Sequence, residues 1–312
     1  MDLSIFFAGT AGSVPTARRG LPALLIRRGG DRLLFDCGEG TQRQLVASVG
    51  LPEIDDVFIT HYHADHWLGL PGMLKTFDLR ARERPLAIHG PPGLGELLGS
   101  LRRVYGRLSY PLELVELGPG DEVRRDRHSV AAFAVDHRVA ALGYALYEDP
   151  RPGQFDPVLA EELGVPPGPG FGRLQRGETV AGVRPEQVMG PAREGRKVVV
   201  SGDTAPCPAL TVAAHRADVL VCEATFADEE RERAAETAHA TAAQAARVAR
   251  EAEVGLLALT HLSTRYSGGE LRDEARAIFA NTVVPRDFDA IEVPLPERGA
   301  PQLVRWEEPV RT

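Results

Sequence analysis

Within six residues, His61, His63, Asp65 and His66 place three imidazoles and a carboxylate directly after the apolar run Val57-Phe58-Ile59. That run reads as a buried strand, so the cluster sits at a strand end. His61 and His63 are two apart and lie on one side of an extended segment. A turn at Ala64 would bring Asp65 and His66 round to a second point. The spacing suits two adjacent metal ions better than one. Imidazole and carboxylate donors fit zinc, and also manganese or iron, while the absence of thiolate argues against a closed structural site. Surface histidines at a strand edge are the bland alternative, but with 9 histidines in 312 residues such a cluster is hard to reach by chance.

The elements that must hold this cluster alternate between strand and helix patterns. Strands are expected near Leu3 to Phe7, Ala23 to Arg27 and Arg32 to Asp36, followed by a helix over Gly40 to Val49 and the strand Val57 to Thr60. Further strands are expected at Leu86 to His89, Val130 to Val135, Gly143 to Tyr147, Val198 to Ser201, Val219 to Cys222 and Leu256 to Thr260. His137, Asp203, Glu223 and His261 each stand at or just past the end of one of them, the place where α/β sheets present their chemistry. A surface helix over Thr237 to Glu251 would carry His239 in its first turn, where the helix dipole favours a neighbouring phosphate. From Glu148 to Arg196 the periodicity fails. Pro150, Pro152, Pro157, Pro166, Pro167 and Pro169, with several glycines, break any long element, and the stretch reads as a protruding insertion. Its second part is basic, with Arg173, Arg176, Arg184, Arg193 and Arg196 available to grip a phosphate backbone.

Composition sets outer bounds. With 43% hydrophobic and 26% charged residues, the chain can bury a large core. No apolar run approaches the roughly 20 residues that span a bilayer, and Met1-Asp2-Leu3 lacks the basic start of a secretory signal, so the expected location is the cytoplasm. Cys37, Cys207 and Cys222 are odd in number and widely spaced, which points to free thiols. The net charge of −8 on its face disfavours a nucleic-acid ligand. Binding follows the local field, however, and nearly all the positive charge is arginine, since Lys75 and Lys197 are the only lysines.

The pattern His-x-His-x-Asp-His is the signature of the metallo-β-lactamase fold, and the rest of the chain narrows the match. Phe7-Ala8-Gly9-Thr10 with Val14-Pro15-Thr16, Phe35 through Gln44, Gly69-Leu70-Pro71-Gly72, Gly168-Pro169-Gly170-Phe171-Gly172, Ser201-Gly202-Asp203-Thr204, Glu223-Ala224-Thr225-Phe226, His239-Ala240-Thr241 and Thr260 through Tyr266 together resemble the ribonuclease Z family. The resemblance implies an α/β protein, an αββα sandwich of two mixed sheets flanked by helices, forming one domain over 1–312 with an inserted tRNA-binding arm at 148–196. It implies removal of 3′ trailers from precursor tRNA, leaving a 3′-hydroxyl on the tRNA and a 5′-phosphate on the trailer. Two Zn2+ per subunit would serve, or Mn2+ or another divalent ion in their place. By the family pattern His61, His63 and His137 hold one ion, Asp65, His66 and His261 the other, and Asp203 bridges both. Asp65 would also act as general base or orient the nucleophile, while His239, supported by Glu223, protonates the departing 3′ oxygen. In the arm, Gly168, Pro169, Phe171, Arg173 and Arg176 would bind the tRNA body. The family is commonly homodimeric.

Two departures stand out. Where many members carry Lys and then Arg-Asn, this chain has Ala17-Arg18-Arg19-Gly20-Leu21-Pro22, which bears on the cut position and on discrimination against a mature CCA end. Cys222 replaces a histidine often found before Glu-Ala-Thr. Two other readings compete. A hydrolase of the same fold acting on a small phosphodiester or related ester would not need the arm, and an RNA-binding protein with a dead site would have lost at least one ligand.

Overall fold

A computed structural model describes residues 2–307. Met1, at the start of the segment examined for a leader, and residues 308–312 of the domain expected over 1–312 lie outside them. Among the described residues fifteen strands form two sheets: β1 (Leu3–Gly9), β2 (Ala23–Arg28), β3 (Asp31–Phe35), β4 (Asp56–Phe58), β5 (Leu86–Gly90), β6 (Leu112–Glu116), β7 (Glu122–Arg125), β8 (His128–Ala134), β9 (Leu142–Glu148), β10 (Lys197–Val200), β11 (Val219–Glu223), β12 (Leu256–Thr260), β13 (Thr282–Val283), β14 (Ala290–Glu292) and β15 (Gln302–Val304). One sheet has the order β15-β14-β1-β2-β3-β4-β5-β6 and the other β13-β12-β11-β10-β9-β8-β7. Both are mixed: β3 through β6 run parallel and their neighbours antiparallel, and β10 through β13 likewise.

Period-two alternation builds the layers. In β1, Ile5 and Phe7 point between the sheets while Phe6 and Ala8 point outward. Val198 and Val200 face inward in β10, and Val199 faces out. The outward residues of the first sheet are covered by helices at Thr41–Ala47, Leu70–Leu79 and Leu94–Ser100. Those of the second sheet are covered by Pro208–Ala214, Ala242–Glu251 and Gly268–Arg276, where small side chains such as Ala242, Ala245 and Ala249 let a helix lie close on the strands. Each large apolar side chain so buried contributes about 1.5–3 kcal/mol. The αββα arrangement matches the sequence-based expectation.

The strand leading to the metal-capable cluster is shorter than its apolar run suggests. The amide of Thr60, which would extend the ladder, donates instead to Asp36 Oδ1 at 2.8 Å, and the chain leaves the sheet there. β6, β7 and β13 to β15 have no counterpart among the expected strands. They are short or lie at sheet edges, and β6 is largely exposed, so no alternating burial marks them in the sequence.

Between β9 and β10 the chain forms three short helices, Pro157–Glu162, Pro169–Gln175 and Pro185–Val188. They enclose a small core of Ala160, Val165, Leu174, Val183 and Val188. Two of the arginines expected to grip phosphate are committed at the root of this segment. Arg196 is fully buried and donates to Glu148 through Nε at 2.6 Å and Nη2 at 2.8 Å, while Arg193 pairs with Glu297 at 3.1 Å. Arg28 Nε donates to the same Glu148 carboxylate at 2.9 Å. Two buried guanidinium groups therefore share one buried acid, and this pairing anchors β9 to β10 and β2. Glu148→Ala removes the acid these two cations share, and a loss of about 3–5 kcal/mol is expected in chemical denaturation. A midpoint unchanged from wild type would refute that anchoring role.

Candidate active site

Every residue in the expected ligand set converges at the strand ends on one edge of the sandwich. His61, His63 and His137 bring one ligand atom each within 4.8 Å of one another, and so do Asp65, His66 and His261. Asp203 stands between these groups: its Oδ2 lies 3.8 Å from His61 Nε2, 3.3 Å from His66 Nε2 and 3.2 Å from His261 Nε2. His61, His66, His261 and Asp203 are buried, whereas His63, Asp65 and His137 are partly open to solvent.

Two carboxylate–hydroxyl pairs fix which imidazole nitrogen faces the centre. An ionised carboxylate only accepts hydrogen bonds. Asp36 therefore receives the Nδ1 proton of His66 at 2.7 Å and the Thr60 hydroxyl proton at 2.9 Å. Having donated, the Thr60 oxygen accepts from His61 Nδ1 at 3.0 Å. On the other side Glu223 accepts the Thr225 hydroxyl at 2.7 Å, and Thr225 accepts from His261 Nδ1 at 2.8 Å. His137 donates its Nδ1 proton to the carbonyl of Ala238 at 3.0 Å. With Nδ1 committed in His61, His66, His137 and His261, Nε2 is the nitrogen that each turns towards the centre. His66 Nε2 is buried, with no well-aligned hydrogen bond and with Asp203 Oδ2 3.3 Å away, as two donors facing a shared cation would be. The donor set, imidazole and carboxylate with no thiolate, fits divalent ions.

Electrostatics agree at His61 and the two carboxylates, whereas at His66 burial opposes the charged form but Asp203 and Asp36 push the pKa well above its usual value. Burial, helped by the charge of His66, pushes the His61 pKa down to about 2, leaving the neutral form that ligates. For Asp203 burial favours the protonated acid, but His261 and His66 outweigh it and hold the carboxyl well below the usual range. Asp65 behaves likewise, its ionised form kept by His261 and His66.

Beside this centre, His239 donates Nδ1–H to Glu223 Oε1 at 2.8 Å. Burial opposes the imidazolium, yet the Glu223 charge and this bond overcome it and push the pKa up to about 9. Glu223 itself is held by the amides of Thr204, Thr225 and Ala240. The expected helix over Thr237 to Glu251 is corrected here. One helix ends at Thr237, Ala238 takes a left-handed turn at φ 55°, and a second helix begins only at Ala242. Thr241 and Gln244 cap that second helix reciprocally, which fixes its first residue three positions beyond His239. His239 therefore lies in the break between helices, and its charge derives from Glu223 rather than from a helix dipole.

Asp36, Thr60, Thr225 and Ser13 carried no assigned role in the sequence reading. A signal existed for Thr225: two residues beyond Glu223 on an extended chain, it returns to the same side. For Ser13, whose amide donates to Asp65 Oδ2 at 3.0 Å, no local signal points to the contact. In the loop before Pro22, Arg18 is exposed while Arg19 turns inward, donating to Thr10 Oγ1 at 2.6 Å.

The residues expected to bind the tRNA body belong to the segment with the separate small core. Gly168, Pro169, Arg173 and Arg176 are exposed, and Glu178 lies 2.8 Å from Arg173 and 3.6 Å from Arg176. Phe171 is half-buried, its ring 4.9 Å from that of Phe155, and so serves the small core of the arm.

Comparison with known proteins adds to this geometry. Residues 19–216 match the family model described as the metallo-β-lactamase superfamily. A ribonuclease Z of Myxococcus xanthus is 48% identical over 304 residues, covering 95% of this chain and 99% of the relative. One from Haloferax volcanii is also 48% identical, covering 94% and 96%. The crystal structure of human tRNase Z, short form, superposes with a TM-score of 0.69 at 27% identity, over 93% of this chain and 99% of that one.

Proposed function

This chain belongs to the metallo-β-lactamase superfamily and, within it, to the ribonuclease Z family; on that footing we propose that it removes 3′ trailers from precursor tRNA by hydrolysing one phosphodiester. The products would be a tRNA 3′-hydroxyl and a trailer 5′-phosphate, and two zinc ions per subunit would be its cofactor, with manganese admitted by the same donors. One observation carries the reading: seven ligand residues converge in two groups joined by Asp203, directly beside a His239–Glu223 pair.

His61, His63 and His137 would hold one ion, Asp65, His66 and His261 the second, and Asp203 both. Such ions supply positive charge against the phosphoryl oxygens and acidify an attacking water. The protein provides the rest. Asp65, oriented by the Ser13 amide, accepts a hydrogen bond from the nucleophile and aligns it. His239 delivers a proton to the departing 3′ oxygen, and Glu223 keeps its imidazole charged and aimed. The segment 148–196 would be an arm inserted in a single domain, with Gly168, Pro169, Arg173 and Arg176 meeting the tRNA body and Phe171 shaping the surface beneath them. A homodimer acting in the cytoplasm completes the proposal; among the described residues no helix is long and apolar enough to cross a membrane.

The test uses a precursor tRNA with a 3′ trailer and a small phosphodiester. The ends of the arm meet, since β9 and β10 pair with Tyr147 opposite Lys197 and the Glu148 amide bonds to the Arg196 carbonyl at 2.9 Å. Replacing 150–194 by a short turn therefore keeps the sheet. Loss of a second contact region is expected to raise KM for precursor tRNA on the order of 100-fold, with turnover of the small ester within about threefold of wild type. An unchanged KM for RNA removes the role of the arm. If the intact protein turns over the ester and cuts no precursor tRNA, the small-ester hydrolase becomes the better assignment.

A further inference from the structure

The loop from Thr10 to Gly20 touches the candidate site at two points. Gly12 lies flush against the ring of His261, where a Cβ would stand 2.7 Å from Nδ1, and the Ser13 amide bonds to Asp65. Ser13 is itself in the left-handed region at φ 57°, a conformation that persists only where its surroundings enforce it. The tip, Ser13 to Arg18, is exposed and supplies no packing of its own. The loop is held beside Ser13 by the Gly12 amide, which donates to the Leu262 carbonyl at 3.0 Å, and at its base by a side-chain clamp. Asp287, in the turn between β13 and β14, accepts the Thr10 hydroxyl at 2.6 Å, the Gly20 amide at 2.5 Å and Gln44 Nε2 at 2.6 Å. Arg19 donates to Thr10 Oγ1 and to the Pro285 carbonyl at 3.0 Å, and Gln44 also holds the Ala8 carbonyl at 3.0 Å. One carboxylate thus ties both ends of the loop to the helix at Thr41–Ala47 and to the C-terminal turn. Gly20 permits the arrangement, because a Cβ there would sit 2.8 Å from Gln44 Nε2.

We infer that Asp287 is a positioning residue for cleavage: by clamping both ends of the 10–20 loop it sets the Ser13 amide and hence Asp65. The inference rests on the site proposed above. Asp287 touches no reacting atom, so its loss should reduce catalysis without weakening substrate binding. Full-length, metal-loaded Asp287→Ala is compared with wild type on precursor tRNA and on bis(p-nitrophenyl) phosphate. The expected result is a kcat lower by about 30-fold on both, with each KM within about threefold, since misplacing a positioned group costs rate rather than affinity. Amide hydrogen exchange should quicken in peptides covering 11–20 and 64–66 and stay at wild-type levels in β10 and β12. Wild-type kcat, or slowed catalysis with an unaltered loop, overturns the inference. If Asp287→Ala unfolds the protein, Gln44→Ala decides the matter, because it withdraws one donor and leaves Arg19 and Thr10 in place. A smaller kcat loss with exchange confined to the loop supports the clamp, and wild-type behaviour overturns it. A wild type that cuts the ester but no RNA refutes the proposed function, while the ester rates still decide the role of Asp287.

Discussion

Asp203→Ala is expected to leave fewer than one metal ion per chain and to lower kcat/KM on precursor tRNA by about 10⁴-fold, near the effect of removing the metal chemistry itself. The size of the effect follows from position. Asp203 Oδ2 lies within 3.3 Å of both His66 Nε2 and His261 Nε2 and within 3.8 Å of His61 Nε2, so a single carboxylate serves both groups. It is also 3% exposed, and no water can replace its charge without rearrangement. His63→Ala makes the contrast, since His63 belongs to one group and is partly open to solvent. That variant should lose one ion and retain a measurable rate. Metal content by atomic emission together with the cleavage rate checks both. Two ions retained in Asp203→Ala, with a rate within tenfold of wild type, would remove the bridging assignment.

His239→Ala should separate proton delivery from metal chemistry. Its kcat on precursor tRNA is expected to fall by about 10²–10³-fold, because the departing ribose 3′ oxygen is a poor leaving group until protonated. On bis(p-nitrophenyl) phosphate, whose phenolate departs without help, the loss should stay within about threefold. Equal losses on the two substrates would assign His239 to metal binding, where it also has a place beside Asp203 and His261. Glu223 is the poorer probe of this step. It accepts hydrogen bonds from Thr204, Thr225, His239 and Ala240, so Glu223→Gln would set an amide NH2 against buried donors and disturb the fold along with the chemistry.

The sequence by itself determined the family and the layers. The side chains at 61, 63, 65 and 66 are neighbours in the chain, so the cluster forms just past one strand end and on the short helix Ala64–Trp67 that follows it. The strands holding Ile5, Phe7, Val198 and Val200 were legible, but which residues face the other sheet was not, because Phe6 and Val199 between them are as apolar and are buried under helices. Resemblance, more than spacing, joined His137, Asp203 and His261 to the cluster, for they lie 74, 140 and 198 residues along the chain from His63. Tertiary structure alone decided the supporting contacts. That Asp36 accepts the hydrogen bond of His66 Nδ1, that the Ser13 amide holds Asp65, and that Asp287 clamps the loop behind it all join residues 30, 52 and 267 positions apart. It also decided that Arg196 lies buried against Glu148 instead of facing RNA, and that His239 precedes its helix rather than beginning it. A periodic pattern records which side of its own strand or helix a residue occupies. It carries no record of which distant donor meets a given acceptor, because that depends on how the two sheets and their loops come together.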